Sequence, residues 1–90
     1  MTEGAVLVTA DRVTAWGGYE DRDTLMPLVG QIDVLFVGTG AEMEYLPPAF
    51  RDALDAAGIG VEPMASPAAC RTYNVLLSEG RRVAAALLPV

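Results

Sequence analysis

A chain of 90 residues, 52% of them hydrophobic, is long enough for one domain with a real core and too apolar to stay disordered. Six arginines against twelve carboxylates, with no lysine and no histidine, give a net charge of −6. That balance argues against nucleic acid and anionic lipid surfaces as partners and favours the approach of a basic one. With no histidine and Cys70 as the sole cysteine, the usual zinc, copper and iron ligand sets cannot be built within one chain, no intramolecular disulfide can form, and no cofactor is expected.

Met1-Thr2-Glu3-Gly4 lacks a basic leader region, and the apolar stretch Ala5 to Val8 is too short for a signal peptide. The longest apolar run, Val83 to Leu88, falls far short of the roughly 20 residues that cross a bilayer. The expected compartment is the cytoplasm.

Ala5 to Thr9 reads as a short strand, Ala10-Asp11-Arg12 as a turn, and Val13 to Trp16 as an antiparallel partner. After the Gly17 to Asp21 loop, Asp23 or Thr24 is placed to cap a short helix in which Leu25, Leu28 and Val29 share a face and which Gly30 ends. Pro27 is tolerable there because it falls in the first turn. Asp33 to Val37 is apolar on both faces, the mark of a buried parallel strand.

Pro48 then sits as a first helical residue. Phe50, Ala53, Leu54 and Ala57 recur at i, i+3, i+4, i+7, and Gly58 stops the helix. Ile59 to Met64 is the next strand. Ser66 as N-cap and Pro67 open a helix that runs to about Ser78 and ends at Gly80, and Arg81 to Leu88 is the last strand. The predicted architecture is one α/β domain over residues 1–90: an N-terminal antiparallel hairpin, then a βαβαβ unit in a mixed sheet with helices packed on it. Sheets of this kind hold ligands at the carboxyl ends of their parallel strands, here Gly38 to Pro47 and Ala65-Ser66.

Several residues there have candidate chemistry, each beside a plainer role. Gly38-Thr39-Gly40 follows a buried strand as a phosphate cradle would. However, Met43 stands where the dinucleotide fingerprint needs glycine, and Pro47-Pro48 delays the helix. The plainer reading is a tight glycine turn, able to let a small ligand approach the backbone. Cys70, early in its helix and beside Arg71, is placed to favour a thiolate; the plainer reading is a small buried hydrophobe packed on the sheet. Arg71, Asn74 and Ser78 form one stripe, either a solvated face or an anion clamp in which Arg71 is a bidentate donor and Asn74 orients the ligand. Tyr73 and Asn74 are also placed to tie the helix to a neighbouring backbone. Glu42 and Glu44 read as solvated carboxylates.

Phe36 to Gly40, the Leu46-Pro47-Pro48 helix start, Gly58 to Glu62, Ala68 to Leu77 and Glu79 to Ala84, in this order and spacing, resemble a widespread family of small domains. Its eukaryotic members include the mitochondrial complex I assembly factor 3 and an adipogenesis-associated domain protein. The resemblance implies a compact three-layer fold, and for the assembly factor it implies a role through contacts rather than chemistry. For bacterial relatives it implies no settled activity and carries over no catalytic residue. The glycine turn and Tyr73-Asn74 match recurrent positions of the family, while Cys70 matches only some members. Family members usually carry extra strand sequence before the segment matching Ala5 to Trp16. This chain starts almost directly at that segment, so either its start is set too late or the fold lacks an edge strand; an uncovered strand edge, with self-association through it, is the expectation.

The resulting expectation is an interaction or assembly-factor-like module with no turnover of its own, partnered by another protein or a second copy. The alternative is a protein or enzyme that binds an anionic metabolite through Gly38, Thr39, Gly40, Arg71 and Asn74.

Overall fold

The computed structural model describes residues 4–89, so the Met1 to Glu3 part of the leader reading lies outside it. Five strands and two helices form in the order β1 (Ala5–Val8), β2 (Val13–Trp16), β3 (Val34–Gly38), α1 (Pro48–Ala56), β4 (Gly60–Met64), α2 (Ser66–Ser78) and β5 (Val83–Leu87). The sheet runs β2-β1-β5-β3-β4. β1 is antiparallel to both β2 and β5, while β3 lies parallel to β5 and to β4. The predicted hairpin and mixed βαβαβ sheet are both present.

Strand alternation sorts the apolar residues into two cores. Leu35 and Val37 of β3, Ala84 and Ala86 of β5, and Leu7 of β1 face α1, where they meet Phe50 and Leu54. Phe36, Val83 and Ala85 face the other way, under Ala69 and Tyr73 of α2. The two helices lie on opposite faces because the chain moves outward from β3 to β4 and then returns past β3 to β5; crossovers of one hand running in opposite directions must use opposite sides. The alanines of the central strand β5 are fully buried, and their small side chains let both helices approach the sheet closely.

The helix expected around Leu25 to Val29 is only a 3-10 turn, Met26–Leu28. Pro27 removes a backbone donor in its middle, and Val29 is exposed rather than packed. Neither Asp23 nor Thr24 caps it. Asp21 orders the approach instead, its carboxylate accepting from the Gly17 and Thr24 amides and from the Thr24 hydroxyl. Those hydrogen bonds, the Thr24 hydroxyl first, hold Asp21 below the usual carboxylate range. Gly30, Gly58 and Gly80, the predicted stops, all take the left-handed conformation, with φ of +80°, +87° and +81°. The last strand is shorter than the predicted Arg81 to Leu88, since Arg81 and Arg82 stay outside it and are exposed and Leu88 follows its end.

Candidate functional site

The glycine turn at the carboxyl end of β3 is a latch. A Cβ on Gly38 would stand 2.6 Å from Ser66 Oγ, 2.8 Å from Ser66 Cα and 2.9 Å from Leu87 Cδ2. Thr39 N donates to Met64 O at 2.8 Å, and Gly40 N donates to Ser66 Oγ at 3.0 Å. The Ser66 hydroxyl in turn donates to Leu88 O at 2.7 Å. The Thr39 hydroxyl reaches Glu42 O and accepts from Glu44 N. The amides of Thr39 and Gly40, which a phosphate cradle would aim at its ligand, are thus engaged within the protein. Ser66, predicted as the N-cap, is instead the first helical residue after Ala65, and its hydroxyl joins β3, α2 and the end of β5.

Arg71 and Asn74 are exposed on α2. The sheet-facing arc of that helix is set by Ser66, Ala69 and Tyr73, which at 100° per residue leaves Arg71 and Ser78 nearly opposite. The structure therefore brings Gly38, Thr39 and Gly40 together with Ser66 and leaves Arg71 and Asn74 on the outer face. Cys70 is exposed, which corrects its expected burial: it sits one position past Ala69, outside the packed arc.

Tyr73 makes no hydrogen bond that ties the helix down. Its hydroxyl is buried without a partner among the described residues, and burial first, then the Asp11 charge, pushes it above the usual phenol range. A buried hydroxyl without a partner stabilises nothing, so Tyr73→Phe is expected to leave the melting temperature unchanged or raise it by a few degrees. A clear fall in thermal denaturation would mean that the hydroxyl does hold a bond.

At the opposite end of the sheet, a cleft of about 820 Å³ opens between the β1–β2 turn, the 3-10 turn, the end of α2 and the segment before β5. It lies on the seam of the two cores. Leu7, Leu28 and Ile32 belong to one, Leu77 and Val83 to the other. Arg12, Arg81 and Arg82 line it, three of the chain's six basic residues, with Asp11 as the one acidic side chain. Arg82 donates to Asp33 at 2.6 Å and to Gly30 O at 3.3 Å. That hydrogen bond, aided by the charges of Arg82 and Arg81, keeps Asp33 below the ordinary carboxylate range and raises Arg82. Residue-by-residue reading missed this site because its walls come from three distant stretches, 7–14, 24–32 and 77–83. The available signal was Arg81-Arg82, the only adjacent basic pair in an acidic chain.

Exposed apolar side chains sit elsewhere: Val13 on β2 at 64%, and Met43 and Tyr45 in the loop after the glycine turn at 52% and 88%. Among the described residues no helix is long and apolar enough to cross a membrane.

An uncharacterized protein of Rhodobacter capsulatus is 47% identical over 87 residues, covering 97% of this chain and 70% of that protein. NADH dehydrogenase (ubiquinone) 1 alpha subcomplex assembly factor 3 of Bos taurus is 44% identical over 93 residues, 96% of this chain and 50% of the factor. Its Danio rerio counterpart is 49% identical over 59 residues, 34% of its length, so this chain spans half or less of these two factors. Among solved structures, a Rhodopseudomonas palustris protein superposes with a TM-score of 0.84 at 33% identity, over 99% of this chain and 71% of that one. A Bartonella henselae protein described as an outer membrane protein gives 0.83 at 35%, over 94% and 77%. A family model described as protein of unknown function (DUF498/DUF598) matches residues 1–88, and the chain belongs to that family.

Proposed function

We propose that the chain is a cytoplasmic interaction module, assembly-factor-like in role, that turns over no substrate of its own. The observation that carries this reading is the 44% identity with the Bos taurus assembly factor along 96% of the chain. The sheet supplies a means of contact. Among the described residues β2 pairs with β1 alone, and three of its four side chains are exposed. An open edge of this kind accepts a strand from another chain through main-chain hydrogen bonds. The other edge, β4, is less suited, since Pro63 within it has no donor to offer. The partner is another protein, with a basic one steered by the net charge of −6, or a second copy of the chain.

An anionic-metabolite site built from Gly38, Thr39, Gly40, Arg71 and Asn74 lacks comparable support, because the turn's amides are engaged and the two side chains lie on the outer face of α2.

Cross-linking in the native host, followed by purification through a tagged chain, is expected to yield a defined partner or a dimer joined through β2. The yield should fall in Val13→Lys, which places a charge on the edge strand. A strictly monomeric chain by light scattering at high concentration, with no cross-linked product, would refute the reading. Recovery of the chain with membranes on fractionation would refute the compartment.

A further inference from the structure

We propose that the cleft at the hairpin end of the sheet binds a small organic monoanion: a carboxylate attached to an apolar body. The volume of about 820 Å³ falls within the range of small-molecule sites, which pair an apolar lining with a few placed polar groups. Here the lining is apolar on both sides of the seam, with Leu7, Ile32 and Val83 buried and Leu28 and Leu77 half-buried. The Thr14 hydroxyl adds neutral hydrogen-bonding capacity, while those of Thr9 and Thr24 already donate to Asp11 and Asp21.

Charge sets the ligand class. Arg82 is paired to Asp33 at 2.6 Å, and Arg12 stands 4.0 Å from Asp11. Arg81 has no ion-pair partner among the described residues. The three arginines less the two aspartates leave one positive charge at the cleft of a chain whose net charge is −6. One unpaired guanidinium beside an apolar floor suits a carboxylate, which it engages through two parallel N–H donors. A phosphate monoester, with a charge near −2, would exceed what the cleft neutralises. The site meets β2 only at Thr14, and its occupancy does not depend on the interaction reading.

Titration of the full chain with sodium octanoate, followed by amide NMR, tests the proposal. Saturable shifts are expected at Thr9 to Arg12, Gln31 and Val83, and not around Gly38 to Gly40. Acetate, which lacks the tail, and 1-octanol, which lacks the charge, should each bind at least about tenfold more weakly, since burial of several methylenes and a charge-assisted pair are each worth roughly that factor or more. Arg81→Gln should weaken octanoate by a similar factor, whereas Arg71→Gln on the far face of α2 should not change it. Both arginines are exposed, and retained peak dispersion would show that each variant folds. Equal binding of octanol, shifts that map elsewhere, or an Arg81→Gln variant of unchanged affinity would each overturn the assignment.

Discussion

Replacing Gly38 with alanine is expected to destabilise the domain by roughly 3 kcal/mol, at the upper end of what one added methyl does in a closed interior. The reason lies in what surrounds the site. Of the three atoms within 3 Å of the added Cβ, Ser66 Oγ and Leu87 Cδ2 belong to side chains, but Ser66 Cα is backbone. A rotamer change cannot relieve the backbone contact, so α2 must move away from β3. That movement stretches the hydrogen bonds from Gly40 N to Ser66 Oγ and from the Ser66 hydroxyl to Leu88 O.

Urea denaturation of Gly38→Ala, Ser66→Ala and the double variant separates the contributions. Ser66→Ala leaves the Gly40 amide and the Leu88 carbonyl without this partner and should itself lose about 1–3 kcal/mol. The double variant relieves the hydroxyl contact but not the backbone one. It should therefore lose less than the sum of the singles and more than Ser66→Ala alone. A Gly38→Ala protein as stable as the parent would show that the helix is free to shift, and the latch would lose its physical basis.

Gly38 also shows where sequence reading succeeds and where it stops. A glycine after a doubly apolar strand says that something approaches the backbone closely. It does not say whether that is a ligand or the chain itself, and here Ser66 occupies the space. Local patterns were legible: the stripe of Phe50 and Leu54, the left-handed stops at Gly58 and Gly80, and the alternation of Val34 to Val37. Each depends on neighbours within a few residues. Cys70 was misplaced because burial on α2 is decided by the arc through Ala69 and Tyr73, and one position along a helix turns a side chain by about 100°. The 3-10 turn replaced a helix because Pro27 and the Asp21 hydrogen bonds together leave too few residues for more than one turn. The cleft was least legible, since its lining runs from Leu7 to Val83 and only the strand order brings those ends together.

Truncating Phe50 to alanine is expected to cost about 3–5 kcal/mol, a large share of the roughly 5–15 kcal/mol that holds a domain folded. Phe50 is 1% exposed and is the part of α1 that meets the hairpin. Its ring centroid lies 5.1 Å from that of Tyr19 and 6.1 Å from that of Trp16, and Tyr19 meets Trp16 edge-on at 6.0 Å and 80°. Trp16 is the only buried residue of β2, and its indole N–H donates to Asp21 O at 3.0 Å. Removing Phe50 therefore opens a cavity at the one point that anchors the edge strand from below. Two readouts distinguish this from a general loss of packing. In the native state Trp16 fluorescence should shift to longer wavelength, because water reaches the ring before the domain unfolds. Self-association should change along with it, since a loosened β2 alters the edge on which partner binding is proposed to depend. Leu54→Ala, equally buried in the same helix but outside the aromatic trio, should lose about 2–5 kcal/mol while leaving native fluorescence near that of the parent. If the two variants prove indistinguishable by fluorescence, the aromatic trio is ordinary core rather than the anchor of β2.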